Sequence, residues 1–105
     1  MAWIWLLAAS AVEIVMAIAL KYAQGWTRLV PSAIGVLAAA CSVLFLTLAM
    51  RSLPAGTAYA IWTGIGSVGV TVLGIFLFGD TPSPLRLLCI GLVVCGIAGL
   101  RLLDA

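Results

Sequence analysis

A chain of 105 residues that is 66% hydrophobic, with a mean hydropathy of +1.34, is too short to hide its apolar surface as a water-soluble domain. Only 8% of the residues are charged and the net charge of +2 is dispersed, so nothing in the composition points to nucleic acid. There is no His, the three Cys sit in apolar runs without metal-ligand spacing, and no nucleophile, base and orienting group come together, so metal, cofactor and enzyme chemistry have no support.

The sequence predicts an all-α integral membrane protein, one domain over residues 1–105. The first span covers about 2–20 and ends at Lys21-Tyr22-Ala23-Gln24-Gly25. It lacks the basic leader of a signal peptide and is expected to persist as a mature helix. The second covers about 29–50, with Thr27 and Pro31 as start signals and Arg51 beyond its end. The third covers about 54–78, started by Ser52 with Pro54 and closed by Gly79-Asp80. The fourth covers about 85–103, with Ser83 as N-cap and Pro84 in the first helical position. Each approaches the roughly 20 residues that a spanning helix requires. The connecting loops are short, so neighbouring helices run antiparallel and pack as hairpins of a bundle. Trp3, Trp5, Tyr22 and Trp26 fall near span ends, where aromatic side chains anchor to the interface.

Glu13 is the only acid inside a span. A carboxylate near mid-bilayer costs about 2.5–3.5 kcal/mol even on the mild insertion scale. Such a group is retained to bind a cation, to bind a proton, or to exchange one for the other. Ser10 and Met16 share its helical face, and Ser10 is expected to hydrogen-bond the carboxylate. Tyr59 and Trp62 are three residues apart on the third span, so they share a face. Their polar tips need an acceptor, for which Glu13 is the obvious choice, and their rings can line a cation site. Ser42 lies mid-span on the second helix and can join the network. The plainer alternatives are core or lipid packing for the two rings, and back-bonding to their own helices for the two serines. Gly64 and Gly66 follow Trp62 directly, and two glycines this close permit either a conformational hinge or close helix packing. Protons and cations competing for one carboxylate, in a cavity open to one side at a time, make an antiporter.

Lys21, Arg28 and Arg86 lie on one side of the membrane, Arg51 and Arg101 on the other with the N-terminal amine. So small a bias leaves insertion nearly undecided, so the chain can pair with its own inverted copy or settle in one orientation. One subunit leaves little room for a substrate path, and a dimer would bring two Glu13 side chains to one cavity. Gly91, Cys95 and Gly99, four residues apart, offer a small-residue stripe for dimer contact or for packing within the subunit.

The chain resembles the small multidrug resistance family, and within it the guanidinium exporters. The resemblance is carried by Glu13-Ile14-Val15, Ala17-Ile18-Ala19-Leu20-Lys21-Tyr22 and Gly25-Trp26-Thr27-Arg28-Leu29 with Pro31-Ser32. The strongest match is Leu53-Pro54-Ala55-Gly56-Thr57-Ala58-Tyr59-Ala60-Ile61-Trp62-Thr63-Gly64-Ile65-Gly66, where Trp62-Thr63-Gly64 leans toward the guanidinium branch. The resemblance implies four helices per subunit, an antiparallel dual-topology homodimer, and proton-coupled export of small organic cations across a bacterial inner membrane by single-site alternating access. It implies that Glu13 binds proton and substrate, that Tyr59, Trp62 and Ser42 line the site, and that the fourth helix is the main dimer contact. It implies no cofactor. The chain departs from the guanidinium branch at Met16, where that branch usually has Trp. The expected consequence is a looser site that accepts alkylguanidines, guanylurea or biguanides. Alternatives are a quaternary-ammonium exporter, a heterodimer with a paralogue that supplies the Trp, or a non-transporting subunit of another membrane protein.

Overall fold

The computed structural model describes residues 2–103, which leaves the N-terminal amine and Asp104 outside it. Four helices account for most of those residues: α1 (Ala2–Tyr22), α2 (Leu29–Ala49), α3 (Ala55–Leu77) and α4 (Pro84–Leu103). At 20 to 23 residues each, they are long and apolar enough to cross a membrane. Many positions are β-branched or glycine, which are weak helix formers in water. In a bilayer core the backbone has no water to bond, so the helix wins regardless of side-chain preference.

Helix ends follow local chemistry only in part. Pro84 opens α4, and Ser83 Oγ accepts the amide of Arg86 at 3.1 Å, a true N-cap. Thr27 does not cap α2, because its hydroxyl donates backward to Gln24 O at 2.8 Å and leaves Arg28 in the cap position. Nor does Ser52 cap α3, whose cap residue is Pro54. The α1–α2 loop turns through three consecutive left-handed residues, Gln24, Gly25 and Trp26, with φ of 49°, 69° and 71°. Only Gly25 takes that conformation without strain. Gly79, at φ 70°, reverses the chain after α3 so that both Phe78 and Asp80 amides reach Gly74 O.

The helices do not close into a bundle. They form a slab whose shortest dimension is 16 Å against 41 and 34 Å. Helix α1 lies against both α2 and α3, and the α4 backbone approaches α3 alone. The buried cluster is Leu6, Ala9, Leu46, Ala49, Leu53, Ala58 and Ile61. It therefore joins the first half of α1 and of α3 to the last part of α2, at one end of the slab. Alanine at three of those contacts lets the backbones approach closely. No residue of α4 is buried.

Close approach continues between α1 and α3 at Gly69. A Cβ placed there would overlap Ile14 Cδ1 and lie 2.8 Å from Ile14 Cγ1. Gly69→Ala is therefore expected to lower stability by about 1–3 kcal/mol through overpacking. Shortening the neighbour with Ile14→Val should restore part of the loss. Thermal unfolding in detergent reads both, and equal destabilisation with and without Ile14→Val would show that the two side chains do not meet.

Candidate functional site

Glu13 stands near the middle of α1, and Gly66 near the middle of α3. The two touch. A Cβ on Gly66 would lie 2.6 Å from both Glu13 Cδ and Oε1, and 2.8 Å from Oε2. The carboxylate thus rests flat on the α3 backbone in a space that any side chain at 66 would fill. Its Oε2 is buried and lacks a hydrogen-bond partner among the described residues. A buried acceptor without a partner is unfavourable by roughly 1–3 kcal/mol, more if it is charged. That oxygen has lone pairs left to accept a hydrogen bond.

The hydroxyl expected to serve Glu13 goes elsewhere. Ser10 is fully buried, and its Oγ donates to Leu6 O at 2.9 Å. A serine inside a spanning helix has the carbonyl four residues back always in reach, and here that local bond wins. Trp62 does not take Glu13 as its acceptor either. Its Nε1 donates to Ser42 Oγ at 2.8 Å, and Ser42 donates to Ala9 O at 2.7 Å. One hydroxyl on α2 therefore ties an indole on α3 to a carbonyl on α1. Ala9 is also the residue whose carbonyl receives the Glu13 amide in the helical ladder, so the bridge is anchored one turn from the carboxylate. Ser42 has left its own helix for this cross-helix bond, the reverse of Ser10.

Tyr59 is 55% exposed and meets the Trp62 ring edge-on at 5.3 Å and 62°. Met16 is half-buried on α1, three residues beyond Glu13. Helix α3 runs unbroken through Gly64 and Gly66, and both have packing reasons to lack a side chain. Gly66 seats Glu13, and a Cβ on Gly64 would come within 2.8 Å of Ile97 Cδ1 on α4. Gly91 and Gly99 have open space where a side chain would be, and Cys95 is exposed, so among the described residues nothing packs closely onto this stripe. The close seat at Gly66 and the row of hydroxyls at Thr63, Ser67 and Thr71 escaped sequence reasoning. The four-residue spacing of that row was the available signal.

Residues 1–93 match the family model for the Small Multidrug Resistance protein. The chain belongs to that family. It is 56% identical over 102 residues to proteins named guanidinium exporter from Citrobacter freundii and Salmonella typhimurium, covering 97% of each chain. A guanidinium exporter from Yersinia pestis is 55% identical over 102 residues, covering 97% of this chain and 98% of that one. With four apolar spans, membership of this exporter family makes the chain a multi-pass membrane transport protein of the bacterial inner membrane.

The three-helix bridge can be broken singly. Ser42→Ala leaves the Trp62 indole without its acceptor, a loss of about 1–3 kcal/mol. With Trp3, Trp5 and Trp26 changed to Phe, the Trp62 emission should shift in Ser42→Ala and stay put in Ser42→Thr. Unchanged emission in both would mean that Ser42 does not hold the ring.

Proposed function

We propose that the protein is a proton-coupled antiporter that exports small guanidinyl cations. The observation that carries this reading is the Glu13 carboxylate, near the middle of a membrane-spanning helix, with one oxygen lacking a partner among the described residues. A proton satisfies that oxygen in one state and the N–H edge of a planar cation satisfies it in the other. The two compete for one carboxylate in a site open to one side at a time, so a proton arriving from outside releases the cation to that side and is carried inward in its place. Close relatives named guanidinium exporters support the cation class. Tyr59 and Trp62 form the aromatic wall, with the indole face fixed by Ser42. Gly64 and Gly66, where α4 and Glu13 lie directly on the α3 backbone, are the points about which α3 hinges.

The transport unit is an antiparallel dual-topology dimer. Three lines support it: a slab that encloses no path alone, a fourth helix with no buried residue, and three cationic side chains at one end against two at the other. In the inverted pair α4 meets α4 along Gly91, Cys95 and Gly99, and the two Glu13 side chains share one site. A heterodimer with a paralogue has the same geometry with one site contributed differently.

Met16 favours a substrate range wider than guanidinium itself. A thioether has no N–H to offer and adapts its shape, which suits alkylguanidines, guanylurea and biguanides. The same property favours, as a second reading, quaternary ammonium ions, which have no N–H for Glu13.

Substrate-induced currents in proteoliposomes test both readings. Guanidinium and a biguanide should give currents that vanish in Glu13→Gln. Surviving currents in that variant would overturn the single-carboxylate mechanism, and currents for a quaternary ammonium alone would favour the second reading. Met16→Trp should narrow the range toward guanidinium, so an unchanged profile would remove Met16 from the specificity argument. Silence in every case, relieved by coexpressing a paralogue, would identify a heterodimer.

A further inference from the structure

Helix α3 carries a second polar feature that the site above does not use. The Thr63 hydroxyl donates to Tyr59 O at 2.9 Å, Ser67 to Thr63 O at 2.7 Å, and Thr71 to Ser67 O at 2.8 Å. The three stand one turn apart, so the row spans about 12 Å at 1.5 Å per residue. It begins one turn before the Gly66 seat and runs on toward the α3 C-terminus. Ser67 is exposed, and Thr63 and Thr71 are half-buried.

Back-bonding fixes what these side chains present. A hydroxyl has one proton and two lone pairs, and here each proton is spent on the helix's own backbone. What remains outward is acceptor capacity only. Acceptors facing hydrocarbon would be idle, and three in a row on one helix would be an odd use of a lipid-facing surface, where aliphatic residues serve better. Facing a water-filled passage, the same row is matched to one ligand class: a cation rich in N–H donors. Such a cation could exchange one hydration bond at a time for a hydroxyl oxygen without meeting a competing donor. A quaternary ammonium ion gains nothing from it.

We propose that Thr63, Ser67 and Thr71 form an acceptor-only track that conducts the N–H-bearing cation between the Glu13 seat and the membrane face at the α3 C-terminus. This rests on the guanidinyl-cation reading for the identity of its cargo, though not for its contact with water. Glu13 supplies the charge that holds the cation. The track supplies neutral, weak, repeated contacts that let it leave, because strong sites along a path would trap it.

The test separates the two claims. In a protein whose Cys41, Cys89 and Cys95 are replaced by Ala, Ser67→Cys and Thr71→Cys are treated in proteoliposomes with a water-soluble thiol reagent. Val72→Cys, exposed but about 100° around the helix from Thr71, is the reference off the row. The row should react roughly tenfold faster than Val72→Cys, since thiols need water and a thiolate to react, and guanidinium should slow the reaction. Separately, Ser67→Ala with Thr71→Val should lower the guanidinium current several-fold while equilibrium guanidinium binding stays near that of the unmodified protein. Labelling as slow as Val72→Cys, or a double variant with an unchanged current, overturns the track. Fast labelling that responds to other N–H cations in a protein giving no guanidinium current would instead remove guanidinium as cargo and keep the track.

Discussion

The middle of a bilayer holds no water, and that shortage governs this protein. Each polar group placed there must find its partner inside the chain. The backbone does so by forming four helices. Ser10 finds Leu6, and Trp62 finds Ser42, which finds Ala9. Glu13 Oε2 finds none among the described residues. In surroundings where the other buried polar groups are served, that oxygen stands out as the one with capacity left to accept a hydrogen bond.

Shape follows from how little side-chain volume the contacts hold. Alanine and glycine let side chains of α1 lie directly on the backbones of α2 and α3, as Leu20 does at Gly35 and Ile14 at Gly69. The fourth helix also carries small residues, with open space at Gly91, Gly96 and Gly99, and it stands at the edge of the slab with no buried residue. Side chains at the membrane surfaces pair cations with rings. Arg101 lies 4.5 Å over Trp3, and Lys21 lies 5.7 Å over Phe78. Both cations thereby find a local partner without an acid.

The number and type of helices were legible because hydropathy over a span is strong and summed over some 20 residues. The singular position of Glu13 was legible for the same reason, since one acid in an apolar run stands out. Partner choice was not. Ser10 and Ser42 look alike in sequence, yet one bonds its own helix and the other crosses to α1. The difference lies in which carbonyl a neighbouring helix brings within reach, and that is a property of packing. Gly66 reads in sequence equally as a hinge and as a point of close packing, and it is packed. Its use as a seat depends on Glu13 pointing across to α3, which spacing along either helix alone cannot reveal. The bundle expected from short loops gave way to a slab because loop length fixes which helices are neighbours, and leaves open whether the last one folds back over the first.

The Ser42 bridge has a mechanical meaning as well. It ties α1, α2 and α3 at a single point, and the buried cluster around Leu6, Leu46 and Ile61 lies at the same end. Sliding any helix there would break a hydrogen bond and open packed side chains together. Toward Tyr22 and Leu77 the buried residues are small, among them Ala19, Ala23, Gly35 and Ala38, so Glu13 stands between an end filled by large side chains and one filled by small ones.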